Sequence, residues 1–404
     1  MAVVPDWKGF LQQITEMCQQ VTSPESGAIP VSDPTGPELH PAESGAIQAL
    51  ELAYRHTLDS IPTDLQDVAQ LSLLVGHAKA MDLIGDWGRA HQLYEKALVK
   101  ATLLENHGKY ADIWRQIGRL FRKQGRWTDA RQAHQQAIST YDVLHDRDGL
   151  AAGNNSIGAV FMEEGELRKA QRHFEKALEY LEGGTNYTTR GLVLNNLGIV
   201  ANIRGKWDLA ITRYQEAITF YDRIADRPGV ARAYQNLGMT FADRDEWLKA
   251  NEYFEKSLDI TRVTGDRNQK ALIYLNKIEV YIHLGDLALA LIFCNKCLQI
   301  FSVSNDMRGV TEISKFLGVI HRIRQEWKAS LKFFEQAVRL SKEYQLWLTL
   351  GETQFEKGLY YRDRVRFPSA VKALEASIDS LKKAGAQGEI RKVRKELSRL
   401  KRKC

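Results

Sequence analysis

Cys294 and Cys297 are the pair whose type and spacing could do chemistry most directly. A Cys-x-x-Cys pair can hold a metal or cycle between thiol and disulfide. No second Cys or His pair lies nearby to complete a tetrahedral site, so no metal and no cofactor is expected. The chain also lacks a phosphate loop, a His-Glu-x-x-His helix and a nucleophile elbow, which leaves no catalytic residue to name. Two other groups point to binding. Asn155, Asn195, Asn196, Asn202, Asn236 and Asn276 recur inside helical patterns, where asparagine is a mediocre choice. An amide offers both a donor and an acceptor, as a peptide bond does, so such a ladder suits an extended backbone. The same amides could instead bond between neighbouring elements. Arg115, Arg119, Arg122 and Lys123 form a basic cluster. It would suit a carboxylate partner or pair with local acids such as Asp112 and Asp129.

These residues are positioned by a period. Gly118, Gly158, Gly198 and Gly238 stand 40 residues apart, and Ala130, Ala170, Ala210 and Ala250 follow each by 12. Trp127, Leu167, Trp207 and Trp247 sit between them. The frame extends back to Ala78 and Ala90 and forward to Gly358 and Ala370, which makes eight repeats without an insertion. A fixed period of this size marks a solenoid. Each repeat reads as two helices, with small residues allowing close approach. Tyr94, His134, Phe174, Tyr214, Phe254, Cys294, Phe334 and Leu374 fill one core slot. Ala97, Ala137, Ala177, Ala217, Ser257, Cys297, Ala337 and Ser377 fill another. The two cysteines therefore read as core residues, and Phe and Ala are expected to replace them without loss. The framework tryptophans read as core too.

At these residues the chain resembles the tetratricopeptide repeat family. Leu194-Asn195-Asn196-Leu197-Gly198 and Tyr234-Gln235-Asn236-Leu237-Gly238 match its first-helix signature. The long period is similar to the 40-residue repeats of spindle-orientation adaptors, kinesin light chains and bacterial peptide-pheromone receptors. The resemblance implies an all-α, right-handed superhelical solenoid of antiparallel helix pairs. It also implies a non-catalytic scaffold that binds a peptide or helix of a partner in a concave groove lined by first helices. Carried onto this frame, that groove holds Arg115, Arg119, Arg122, Asn155, Asn195, Asn196, Asn202, Asn236, Met239 and Asn276. Toward the C-terminus it turns more apolar, with Ile282, Phe316, Val319 and Phe355 among its residues. The arginines favour an acidic partner.

The flanks differ from the array. Residues 1–21 read as an amphipathic helix that docks on the array or acts as a mobile recognition element. Residues 22–46 hold five of the nine prolines and read as a linker. The solenoid spans 47–382, opening with a half repeat over 47–61. Residues 383–404 read as a basic capping helix and tail. Ile390, Val393, Leu397 and Leu400 form its apolar seam, and Lys392, Arg394, Lys395, Arg399, Lys401 and Arg402 lie among its cations. From Lys382 onward ten basic residues face two acidic ones, although the whole chain is only +6. The tail thus offers a second reading, binding to nucleic acid or an acidic membrane. Four cysteines without a pairing pattern, no secretory leader and no run of ~20 apolar residues predict a cytoplasmic chain that does not span a membrane.

Overall fold

The computed structural model describes residues 66–303 and 306–402. The expected N-terminal helix, linker and half repeat lie outside them. The described residues form 17 α-helices and no strand. They are α1 (Gln66–Ile84), α2 (Trp87–Leu103), α3 (His107–Lys123), α4 (Trp127–Val143), α5 (Arg147–Glu163), α6 (Leu167–Tyr180), α7 (Tyr187–Ile203) and α8 (Trp207–Arg223). There follow α9 (Arg227–Asp243), α10 (Trp247–Thr264), α11 (Arg267–Leu284), α12 (Leu287–Val303), α13 (Met307–Ile323), α14 (Trp327–Glu343), α15 (Trp347–Asp363), α16 (Phe367–Lys383) and α17 (Gln387–Lys401). The chain divides into two compact units, Met1–Gly229 and Val230–Cys404.

Both units are built from hairpins. In the first, α1 pairs with α2, α3 with α4, α5 with α6 and α7 with α8. In the second, Gly238 and Phe241 of α9 meet Phe254 and Tyr253 of α10. Then α11 pairs with α12, α13 with α14 and α15 with α16, and α17 closes the last hairpin.

The recurring glycine is explained by the ring opposite it. A Cβ added at Gly158, Gly198 or Gly238 would lie 2.6, 2.5 or 2.5 Å from the ring of Phe174, Tyr214 or Phe254. The glycine therefore makes room for the aromatic four residues beyond the alanine, rather than facing the alanine itself. The alanines complete the approach, each fully buried. Repeat six breaks this rule. Ile278 fills the glycine slot and Cys294 the ring slot, both 0% exposed. Side-chain bulk has moved from one helix to the other. The expectation that phenylalanine could stand at 294 therefore fails, because Ile278 already occupies that space. Cys297 behaves as its sister residues do. Its thiol donates to the Ala271 carbonyl at 3.6 Å, as Ser257 does to Ala231 and Ser377 to Gly351. Burial pushes the Cys294 thiol up to about 12 and raises Cys297 also.

The joints use capping chemistry. Asp146, Asp226 and Asp306 accept from the backbone N–H of Gly149, Gly229 and Gly309 at 2.9, 2.9 and 3.0 Å. These glycines sit in the first helical turn, where they clear Tyr141, Tyr221 and Phe301. The framework tryptophans open second helices and stay partly exposed, with Trp87 and Trp207 each at 38%. They are therefore not fully buried core residues. They still pack inward along one side: Trp127 lies against the core of the first unit, Trp247 stacks on His283 and Trp327 meets the buried Tyr360 edge-on.

Candidate peptide-binding face

Within each unit the first helices of successive repeats touch one another. In the first unit α3 meets α5, and α5 meets α7. In the second, α11 meets α13, α13 meets α15 and α15 meets α17. No comparable contact joins second helices among the described residues. The first helices thus line the inner side of each unit, and their outward residues make a continuous face.

The inner face of the first unit is basic but internally paired. Arg115 lies 3.7 Å from Asp112. Asp82, nearly buried, takes Arg119 at 3.3 Å and Lys123 at 2.8 Å. Arg122 pairs with Glu163 of the next repeat. The positive excess survives this pairing. Lys79 is held below the usual lysine range, first by burial and then by Arg119 and Lys109. The asparagines divide by role. Asn155 and Asn195 are 7% and 6% exposed. Asn196 donates its side-chain N–H to the Asn155 side-chain amide oxygen at 2.9 Å, which ties α7 to α5. Bonding between repeats is therefore realised at this pair. Asn202, on α7, is half-buried.

In the second unit, Asn236 and Met239 lie on α9, with Met239 exposed. Asn276 lies on α11, in the wall of a cleft of about 430 Å³ formed by α11, α13, α15 and α17. Ile282, Phe316, Val319 and Phe355 share that cleft, so the structure gathers these sequence-predicted residues. The cleft also carries Glu279, Glu312, Glu352, Glu356 and Glu389 against Lys315 and Lys392. Lys315 sits between Glu312, at 2.7 Å, and Glu352. Burial alone would lower its proton affinity, but the two carboxylates outweigh burial and raise it. Glu279 is exposed, and the side chains packed around it still raise its carboxyl, against the opposing pull of Lys315 and His283. Sequence reasoning missed these charges. The frame could have found Glu279, Lys315 and Glu356, which occupy the positions one after, three before and two before the glycine slot. Glu312 and Glu352 lie a turn earlier and carry no such signal.

The basic helix α17 buries Ile390, Val393 and Leu400 against α16 and exposes its cations. Arg399 and Arg362 meet Glu396 at 3.6 and 2.8 Å, and Lys401 meets Glu375 at 2.9 Å. Lys392 lies 4.0 Å from Glu389 and over the Phe355 ring. Arg394, Lys395 and Arg402 make no ion pair among the described residues. No described helix is long and apolar enough to cross a membrane.

Comparison with known proteins agrees with the period. Residues 109–183, 149–223 and 189–262 match the model of the tetratricopeptide repeat. No curated relative matches. Aspartyl phosphate phosphatase F from Bacillus subtilis is similar in fold, at 14% identity, TM-score 0.59, and coverage of 94% of this chain and 96% of that one. A Rap protein complexed with competence and sporulation factor is 12% identical at TM-score 0.55, over 82% of this chain and 98% of that one. A signal transduction ATPase with a tetratricopeptide repeat sensor, from Pyrococcus horikoshii, is 14% identical at TM-score 0.58. It covers 86% of this chain and 54% of its own.

Proposed function

Taking the chain as a tetratricopeptide repeat protein, we propose that it is a non-catalytic interaction scaffold whose inner face holds a peptide or helical segment of a partner protein. One observation carries this reading. The first helices meet side by side in each unit, so residues one repeat apart in sequence become neighbours on one surface. Such a surface can follow an extended chain for several residues. The Rap protein with a bound factor shows that a similar fold can be solved with a ligand. A pull-down from source lysate tests the reading, with wild type compared against Arg119→Gln and Met239→Asp. Met239 is exposed, and Arg119→Gln removes the charge while keeping a donor for Asp82, which Lys123 still holds, so both variants should fold. Proteins retained by wild type and lost from either variant are expected. Identical retention by all three chains would remove the inner face from the argument.

The exposed and unpaired Arg394, Lys395 and Arg402 favour a second reading, in which α17 contacts phosphates. Its test is a mobility shift with arbitrary duplex DNA at two salt concentrations. Binding should fall with salt and with Arg394→Glu/Lys395→Glu. Binding that persists in this double variant would exclude α17 as the contact.

A further inference from the structure

One place in the repeat frame is filled by bulk in every repeat but one. Three residues after the glycine slot, Phe121, Phe161, Phe241, Tyr281 and Tyr361 supply a ring, and Met81 and His321 fill the same place. Repeat four has Ala201 there. In repeats three, five, six and seven a second ring from the following helix stacks on the first. Phe161 stacks on His173 at 5.4 Å and Phe241 on Tyr253 at 5.1 Å, and the pairs Tyr281–Phe293 and His321–Phe333 repeat this. In repeat four the second position holds Arg213, so both rings are missing together. The space stays open. A cavity of about 60 Å³ lies there, walled by α6, α7 and α8. Its floor is Leu197, Val200 and Ala201, all buried, with Leu178 and Leu209 at its sides. Leu209 is 42% exposed and stands where Asp129, Lys169 and Lys249 stand in other repeats.

The cations that accompany the rings elsewhere are present here without one. Arg126 lies over Phe121 at 4.2 Å, and Lys206 holds the same frame position beside the cavity. Lys169 lies over Phe161 and Lys249 over Phe241, each at 5.5 Å. Arg204 and Arg213 complete the rim of the cavity. Arg213 meets Glu216 at 2.8 Å and Arg204 donates to the Gln171 side chain, while Lys206 makes no ion pair among the described residues. Against these three cations the lining sets one carboxylate, Glu175. The face of an aromatic ring is negative and draws cations. Apolar walls under a cationic rim therefore match a ring in shape and in charge.

We propose that this cavity docks a phenylalanine or tyrosine side chain of a partner protein, whose ring takes the place that Phe161 and Phe241 fill in repeats three and five. The volume is far below the ~300–1,000 Å³ of a whole small-ligand site, so it takes one side chain and not a free metabolite. Tryptophan never fills this slot in the chain's own repeats, and a single ring is the size that fits. The second helices α6 and α8 wall the cavity, so it stands apart from the inner face, which first helices line. It is a separate point of contact and does not depend on what that face binds.

The test uses the full chain, immobilised and exposed to a phage-displayed heptapeptide library randomised at every position. Wild type should enrich phenylalanine or tyrosine at one position. Ala201→Phe and Ala201→Met copy Phe241 and Met81 and fill the cavity from within. Both should keep or raise Tm, and both should lose the enrichment. Filling a cavity of this size is worth about tenfold in affinity. Each filled variant should therefore bind the best wild-type peptide about tenfold more weakly, as wild type should bind the peptide with its ring residue changed to alanine. In a filled variant that alanine change should cost little more. Ala201→Met is the milder filling and carries the comparison should Ala201→Phe fail to fold. A lowered Tm in both variants overturns the proposal, because it shows the slot already occupied by the chain's own atoms. Enrichment that persists in a filled variant, a wild type without aromatic preference, or one that retains no peptide overturns it as well.

Discussion

A swap in repeat six tests the packing rule most severely. Replacing Cys294 with phenylalanine copies the residue that Phe254 and Phe334 supply in the neighbouring repeats. Those rings sit where a Cβ on Gly238 or Gly318 would come within 2.5 Å. At repeat six that volume holds Ile278, whose side chain is 0% exposed and cannot swing out. Overpacking a close-packed core costs about 1–3 kcal/mol, and a whole ring should sit at the upper end. Ile278→Gly alone should cost about 4 kcal/mol, from the lost burial, the cavity and the glycine in a helix. The double variant Ile278→Gly/Cys294→Phe restores the sister arrangement, so its main cost is the ~1 kcal/mol of the helical glycine.

The second unit spans residues 230–404. At that size about 3 kcal/mol corresponds to roughly 6–12 °C in Tm. Thermal and urea unfolding by circular dichroism, on wild type, both single variants and the double, gives the full cycle. The double variant should recover most of the ~7 kcal/mol that the singles lose in sum. The packing rule is refuted if Cys294→Phe melts with wild type, or if the double is no better than the worse single. Cys297→Ala serves as the control, because it copies the alanine of sister repeats and should change Tm only slightly.

Three further outcomes are expected. Val365 has φ 57° and is 71% exposed, so its branched side chain strains the turn without packing return; Val365→Gly should raise stability by ~1 kcal/mol, and an unchanged Tm would deny the strain. His134 is 1% exposed, and its pKa is lowered to about 3 by burial and then by Arg115 and Arg122. An unfolded histidine takes its proton near pH 6.5, so stability falls as pH drops from there toward the folded value; His134→Phe should abolish a loss of about 2–3 kcal/mol between pH 6.5 and 4.5, measured by urea unfolding. Lys315 has its proton affinity raised in the fold, so its contribution is complete below the unfolded pKa of ~10.4 and is lost as pH rises beyond it. Lys315→Met should destabilise the chain by ~2 kcal/mol at pH 7, an amount reduced for the partly open carboxylates, and the difference from wild type should shrink in strong alkali.

The repeats were legible because one residue type recurs where one geometry demands it. Nothing but glycine leaves room for the ring at Phe174, Tyr214 or Phe254, so the spacing survives in the sequence. The caps at Asp146, Asp226 and Asp306 were legible for the same reason. Repeat six was harder. The exchange of bulk between Ile278 and Cys294 looks like two unrelated losses until both are seen on facing helices. Lys277 was hidden altogether. It stands where Leu197, Leu237 and Leu317 stand in other repeats, yet it is 0% exposed. Its ammonium reaches Asn251 and Glu255 at 2.6 Å each, between the rings of Tyr281 and Phe293. A lysine in a leucine slot reads as a surface residue until its carboxylate partner on the preceding helix is known.

The inner face was legible by position and misleading by charge. Its frame named Arg119 and Asn276 correctly as first-helix residues, but formal charge at one position says little about the field there. Arg115 meets Asp112, the local acid its spacing suggests, but Arg119 and Arg122 each meet a carboxylate from another repeat that sequence spacing does not reveal. Conversely, the C-terminal end read as apolar because Phe316, Val319 and Phe355 dominate its pattern. Its carboxylates come from four separate helices and become a cluster only when those helices are laid side by side. The net charge of a repeat surface is set by neighbours about 40 residues away, as in the pairs Arg122–Glu163 and Lys123–Asp82. The field of such a face therefore follows from which charges remain uncompensated after the repeats pair among themselves. In the second unit's cleft that remainder is negative.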